Sequence, residues 1–152
     1  MWGKTLKNIE KSEMAPYLFH QGTNYYTYRY LGFHIESFNE KKWAVFRTWA
    51  PNAKKVYLAG DFNCWDNTLE MEKITDGGVY EVKFSADKVN EGDNYKFKIL
   101  TCDGRELYKA DPYAFYAERP PLTASKIIIP HEFEWTDGGY MPVSYTHLTL
   151  PT

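Results

Sequence analysis

The chain has 152 residues, a quarter of them charged, and a formal net charge of −2. That length is one domain with ends, enough to bury a core, and the near-neutral balance excludes the basic excess that drives binding to nucleic acid or anionic membrane. The unusual quantity is aromatic content, 18% of the chain, which suits both a β-rich core and a recognition surface.

The opening, MWGKTLKNIEKSEM, lacks the hydrophobic centre of a signal peptide, and the longest aliphatic run is only residues 127–129. A cytoplasmic protein is therefore expected, with Cys64 and Cys102 as free thiols. Leu6, Ile9 and the lysines around them suit one or two amphipathic helical turns, stopped before Pro16. HQGTNYYTYRYLGFH then turns at residues 22–24 and enters an aromatic, β-favouring run.

From residue 42 the pattern is strand after strand. KWAVFRTWAP alternates, with Ala44, Phe46, Thr48 and Ala50 on one face and Trp43, Val45, Arg47 and Trp49 on the other, and Pro51-Asn52 closes it. KKVYLAG pairs Val56 with Leu58 and runs into the loop GDFNCWD. LEMEKIT alternates next. Asp76-Gly77-Gly78 predicts a hairpin into VYEVKFS, whose Tyr80, Val82 and Phe84 share a side. DNYKFKIL puts Tyr95, Phe97 and Ile99 inward and Lys96 and Lys98 outward. Asp103-Gly104 makes a further turn, and SKIII is the expected last strand. Short strands about ten residues apart, separated by turn formers, predict an all-β antiparallel β-sandwich preceded by a short leader of some helical character. Between the last two strands, KADPYAFYAERPPL (residues 109–122) is too apolar for a solvated loop. It is either a strut along the sandwich or a surface that meets another domain.

Acid/base chemistry on sugars needs two carboxylates across a cleft. The acids here mostly sit in turns (Asp61, Asp66, Asp76, Asp93, Asp103) or on outward strand positions (Glu70, Glu72, Glu81), and no phosphate loop or nucleophile elbow is present. His20, His34, His131 and His147 are scattered without ligand spacing, so neither metal nor cofactor is expected. The pattern is that of a module that binds. Trp65, set among turn formers, has two readings: a lid folded onto the core, or a plate offered to something flat. A pyranose has an apolar C–H face rimmed by hydroxyls, and an exposed aromatic flanked by amides and donors suits it. Trp65 with Asn63 beside it and Lys96 one strand away would supply plate, amide and donor.

WAPNAKKVYLAGDFNCWD (residues 49–66), GGVYEVKFS, DNYKFKI, GRELYKADPYA (residues 104–114), TASKI and FEW occur in the order seen in bacterial glycogen branching enzymes. There they form the N-terminal family-48 carbohydrate-binding module, an immunoglobulin-like sandwich ahead of a glycoside hydrolase family 13 barrel. The resemblance covers residues 17–141, and KADPYA is its discriminating piece. It implies a leader over 1–27, a sandwich over 28–130 and a linker over 131–142 toward a barrel that does not follow. A barrel takes about 250 residues, so the family's catalytic Asp and Glu have no counterpart here and no catalytic residue is expected. The implied partners are α-1,4-glucans, such as glycogen and malto-oligosaccharides, and the parent enzyme's own barrel. The same module also occurs in other starch-active enzymes and in glycogen-tethering proteins, which are the alternative readings.

Trp65 matches the module's loop tryptophan and Lys96 its strand lysine. Glycogen-sensing relatives carry a second tryptophan just after the D-G turn, where Glu106-Leu107 stands here, and an asparagine near the last strand, where Ser125 stands. Half of the platform is thus absent from those positions, and weak affinity is expected. VSYTHLTLPT (residues 143–152) departs from the family and resembles the translation of a sequencing adapter, so a non-native tail is expected there.

Overall fold

The computed structural model describes residues 14–66 and 69–130. The helical turn expected near Leu6 and Ile9, the linker 131–142 and the tail 143–152 lie outside them. The described chain begins in a helix, residues 14–21, and continues through a 3-10 turn, Thr27–Arg29. Ten strands follow: β1 (Gly32–Phe38), β2 (Lys41–Trp49), β3 (Ala53–Gly60), β4 (Leu69–Glu70), β5 (Glu72–Lys73), β6 (Val79–Ser85), β7 (Asn94–Thr101), β8 (Glu106–Lys109), β9 (Tyr116–Ala117) and β10 (Ser125–Lys126).

The strands form two antiparallel sheets. One runs β1-β2-β6-β5, the other β4-β3-β7-β10-β9, with β8 joined to the second half of β7. The sheets face each other as an immunoglobulin-like β-sandwich, as the alternation predicts. Residue alternation fixes which side chains meet between them. Ala44 and Phe46 of β2, Val56 and Leu58 of β3, Tyr80 and Phe84 of β6, and Tyr95 and Phe97 of β7 all enter one core. Phe46 lies at its centre, with ring centroids 4.9 Å from Phe33, 5.1 Å from Tyr95 and 5.8 Å from both Phe84 and Phe62.

Three expectations are corrected. LEMEKIT is not one strand: β4 pairs with Tyr57 and Leu58 of β3, whereas β5 pairs with Tyr80 and Glu81 of β6. Met71, buried between them, bonds its N–H to Val56 O at 2.8 Å, so a single apolar residue anchors the crossing from one sheet to the other. SKIII is a strand only over its first two residues. Ile127 is fully buried, but its N–H bonds to Asp93 O in a loop, which takes it out of the ladder. A helix also spans Pro16, which stands in its first described turn, where a missing N–H is tolerated, and Ala15 and Phe19, one turn apart, pack on Tyr30, Leu31 and Val79.

Val45 and Arg47 are buried although they point away from the main core, and Arg47 lies against Tyr30 of that cluster, its guanidinium 5.2 Å from the centre of the ring. Arg47 bonds to Glu36 and Glu81, and its Nη1 donates to Tyr30 O at 3.3 Å. Burial works against the charged guanidinium, and the two carboxylates more than offset it, holding Arg47 above its ordinary value. The leader is held at its end by Phe19, edge-on to Trp49 at 5.6 Å, and by a 2.8 Å bond between His20 Nε2 and Thr75 Oγ1.

Candidate functional site

The loop GDFNCWD is built to hold one indole. β3 ends at Gly60, where an added Cβ would stand 2.6 Å from both Asn94 O and the Phe62 ring, so only glycine admits that approach. Asp61–Asn63 makes one 3-10 turn, and Cys64 and Trp65 then both adopt left-handed backbone, with φ of 54° and 60°. Two consecutive non-glycine residues there cost about 1–2 kcal/mol each. The surrounding bonds stabilise them. Asn63 accepts the Gly60 N–H at 2.9 Å and donates to Leu58 O at 3.0 Å and to Asp66 O at 2.9 Å. Trp65 N–H reaches Gly60 O at 2.9 Å.

Phe62 and Trp65 divide the two readings of this loop. Phe62 packs against the core, on Phe46 and Phe84. Trp65 stays 39% exposed. Its indole N–H donates to Asp61 Oδ1 at 2.9 Å, while Asp61 Oδ2 accepts the backbone N–H of Asn94 at 2.8 Å. One carboxylate therefore ties the indole to the first residue of β7. With its single donor already bonded, the ring has only its apolar surface left to offer.

Asn94, Lys96 and Lys98 follow one another along the outward face of β7. Lys96 Nζ donates to Thr123 Oγ1 at 2.8 Å. Lys98 lies flat, its Nζ 2.9 Å from Glu106 and 5.8 Å from the centre of the Tyr108 ring. The hydrogen bond with Glu106 is the main cause that raises the Lys98 ammonium above the ordinary lysine value. Tyr108 pairs directly with Lys98 in the β7–β8 register and is half exposed, which makes it a diagonal neighbour of Lys96 on the same face.

The three residues expected from sequence thus occupy different situations. Trp65 and Lys96 are both at the surface, and the Asp61 clamp joins the loop of the first to the strand of the second. Asn63 is beside Trp65, but both of its amide hydrogens are bonded within the loop. Ser125, where relatives were expected to place a platform asparagine, is buried. Its Oγ accepts the Asp111 N–H at 2.8 Å, and Thr123 is the polar residue of this segment that reaches Lys96. Sequence reasoning missed Tyr108 and Asp61. The period-2 alternation through Glu106-Leu107-Tyr108 after the Asp103-Gly104 turn, set against outward Lys98, is the signal that finds Tyr108.

Behind this face Asp111 is buried, accepting the Tyr95 O–H at 2.7 Å and the Tyr113 N–H at 2.9 Å. Desolvation raises its carboxyl above the usual value despite those bonds, and it raises the Tyr95 phenol as well. Among the described residues no group of His, Cys, Asp or Glu could hold a metal, and no helix is long and apolar enough to cross a membrane.

Residues 30–114 match the family model for carbohydrate-binding module 48 (isoamylase N-terminal domain). Three 1,4-alpha-glucan branching enzymes align with most of the chain. GlgB of Halothermothrix orenii is 44% identical over 131 residues, which is 86% of this chain and 20% of that protein. GlgB 1 of Clostridium perfringens is 39% identical over 138 residues, 90% of this chain and 20% of that protein. GlgB of Lactobacillus acidophilus is 45% identical over 123 residues, 81% of this chain and 18% of that protein. The chain thus spans about a fifth of the length of the curated relatives it matches. Among solved structures, pullulanase from Bacillus acidopullulyticus superposes with a TM-score of 0.50 at 28% identity, over 65% of this chain and 12% of that one. Pullulanase type I from Bacillus subtilis superposes with a TM-score of 0.53 at 21% identity, over 70% of this chain and 14% of that one, a likeness of fold alone. The chain belongs to the carbohydrate-binding module 48 family, in the form carried by 1,4-alpha-glucan branching enzymes.

Proposed function

We propose that the chain is the α-glucan-binding module of a cytoplasmic branching enzyme of glycogen synthesis, docked in the whole enzyme against the barrel that transfers α-1,4-glucan chains to α-1,6 branch points. Trp65 is the plate for one pyranose. Lys96 is a donor to its hydroxyls, and Tyr108 on β8 serves as a second aromatic surface beside it. Asn63 holds the plate in place and leaves hydroxyl recognition to the lysine. The observation that carries this reading is the Asp61–Trp65 clamp, which keeps an indole outside the core with its donor bonded and its ring exposed. The site is shallow, so a Kd of roughly 0.1–1 mM for a malto-oligosaccharide is expected.

The test is calorimetric titration of the chain and of Trp65→Ala with maltoheptaose, paired with thermal melts. Loss of binding with an unchanged melt supports the reading. Undiminished binding by the variant overturns it. On this reading the catalytic chemistry belongs to the barrel, and incubation of the chain alone with amylose is expected to give no new α-1,6 linkage.

A further inference from the structure

Asp61 is one link in a longer chain of contacts. Its Oδ2 accepts the Asn94 N–H at 2.8 Å, and Asn94 Oδ1 in turn accepts from Lys126 Nζ at 2.9 Å. Lys126 lies opposite Asn94 in the β7–β10 register and opposite Tyr116 in the β10–β9 register. Residues directly opposite in a ladder share a face, so Asn94, Lys126 and Tyr116 form a row on the outward face that also carries Lys96. Tyr116 keeps 53% of its surface exposed.

The hairpin that joins β9 to β10 is fixed to that face. The Glu118 N–H donates to Ala124 O at 2.9 Å, and the Glu118 carboxylate accepts the Ala124 N–H at 3.0 Å. Thr123, beside them, accepts from Lys96 Nζ at 2.8 Å. A single exposed tyrosine is ordinary. Tyr116 differs because its hairpin is bonded to Lys96 and, through Lys126 and Asn94, to the Asp61 clamp. In the neighbouring row Gly60, Tyr95, Ser125 and Ala117 lie opposite one another. β9 therefore stands three strand spacings, about 14 Å, from the point where the Trp65 loop leaves β3. One pyranose does not cover that distance, and a short malto-oligosaccharide does.

We propose that Tyr116 and Lys126 form a further glucan subsite, so that one malto-oligosaccharide crosses the strands from Trp65 to Tyr116. The Tyr116 ring stacks on the apolar face of a pyranose, and Lys126, whose ammonium carries three N–H donors, bonds to its hydroxyls. The face then selects for chain length. Maltose fills the Trp65 end alone, and longer chains gain the second contact. The inference rests on the Trp65 reading and extends it. It is separate from Tyr108, which lies on β8 beside the second half of β7.

The test is NMR titration of the whole chain, of Tyr116→Ala and of Trp65→Ala with maltose and with maltoheptaose, each protein also being melted. Tyr116→Ala is expected to weaken maltoheptaose binding several-fold and to leave maltose binding, read at the Trp65 indole N–H, unchanged. If the alanine variant lowers the melt, Tyr116→Leu takes its place with the same expectation, since it keeps apolar bulk on the strand and removes the flat ring. Maltoheptaose binding unchanged by the Tyr116 variant but abolished by Trp65→Ala overturns the subsite and leaves the Trp65 reading standing. Equal fold-losses for maltose and maltoheptaose also overturn the subsite, because a general disturbance of the face has no length dependence. Maltoheptaose binding that is absent from the parent chain, or that survives Trp65→Ala, overturns the Trp65 reading and the crossing chain with it.

Discussion

The carboxylate of Asp61 holds the indole of Trp65 through one oxygen and the start of β7 through the other, at 2.9 and 2.8 Å. A loop residue thereby fixes the plate relative to the strand that carries Lys96. Asp61→Ala should weaken maltoheptaose binding several-fold, because the ring must then be ordered at the moment of binding. Both lost bonds lie at the surface where water replaces them, so the stability cost should stay at about 0.5–1.5 kcal/mol. Calorimetry together with a urea melt measures both effects. An unchanged affinity would show that the clamp has no part in recognition.

Tyr108 tests whether the face is larger than one plate. Half exposed beside Lys98, it contributes little to the core, so Tyr108→Ala should leave the melt within about 1 kcal/mol. Stacking of a flat ligand on an aromatic is worth about 1–3 kcal/mol by analogy with nucleic-acid bases, so the same variant should weaken binding roughly tenfold. Tyr108→Phe keeps the ring and should bind nearly as well as the parent chain. If both variants bind like the parent, β8 lies outside the site.

The strands were legible where a single face is buried. The alternation Tyr95-Lys96-Phe97-Lys98 sends Tyr95 and Phe97 inward because that side of β7 meets the opposite sheet, although Lys98 on the other side is also buried, beside Glu106 and the Tyr108 ring. The reading thinned where two surfaces are covered. Val45 and Arg47 lie on the second face of β2, and only tertiary contact, as of Tyr30 on Arg47, shows that this face is dry. Met71 belongs to a strand by local pattern, yet its flanks pair in different sheets, and a one-dimensional period carries no information about which sheet a strand joins. Trp65 and Lys96 could be found from residue type and place. The inward use of Asn63 could not, because a planar amide beside an exposed ring suits a sugar hydroxyl and a loop carbonyl equally well.

Asp111 makes stability depend on pH with a definite sign. Desolvation raises its folded-state value above the ordinary carboxylate one, so the native state binds the proton more tightly than the unfolded chain. Stability from this group is then fully present below the unfolded value. It is lost as pH rises through the raised folded one. Asp111→Asn keeps an acceptor for the Tyr113 N–H and removes the charge. On going from pH 7 to pH 4 the parent chain should therefore gain stability relative to the variant. Thermal melts of both proteins across that range measure the difference, and a constant offset would exclude the carboxyl as the source.

Phe62 and Trp65, three residues apart in one loop, should fail in opposite ways. Phe62 is the side chain that packs on Phe46 and Phe84. A buried Phe→Ala costs about 3–5 kcal/mol, and because Phe62 is only partly buried, Phe62→Ala should fall at or below the lower end. The loop it anchors would still carry the Asn63 bonds and the Asp61 clamp, so in the surviving native fraction at low temperature maltoheptaose should bind within a few-fold of the parent. Trp65→Ala removes a ring that lies outside the core, and it should leave the melt within about 1 kcal/mol while binding falls below detection. Each variant is the control for the other. A loss of affinity after Phe62→Ala could be blamed on a displaced loop, but only if Trp65→Ala also lowered the melt. A loss of affinity after Trp65→Ala could be blamed on unfolding, but only if its melt matched that of Phe62→Ala. Measuring both variants by titration and by melt separates ligand contact from core packing, and equal destabilisation by the two would make Trp65 a second core residue.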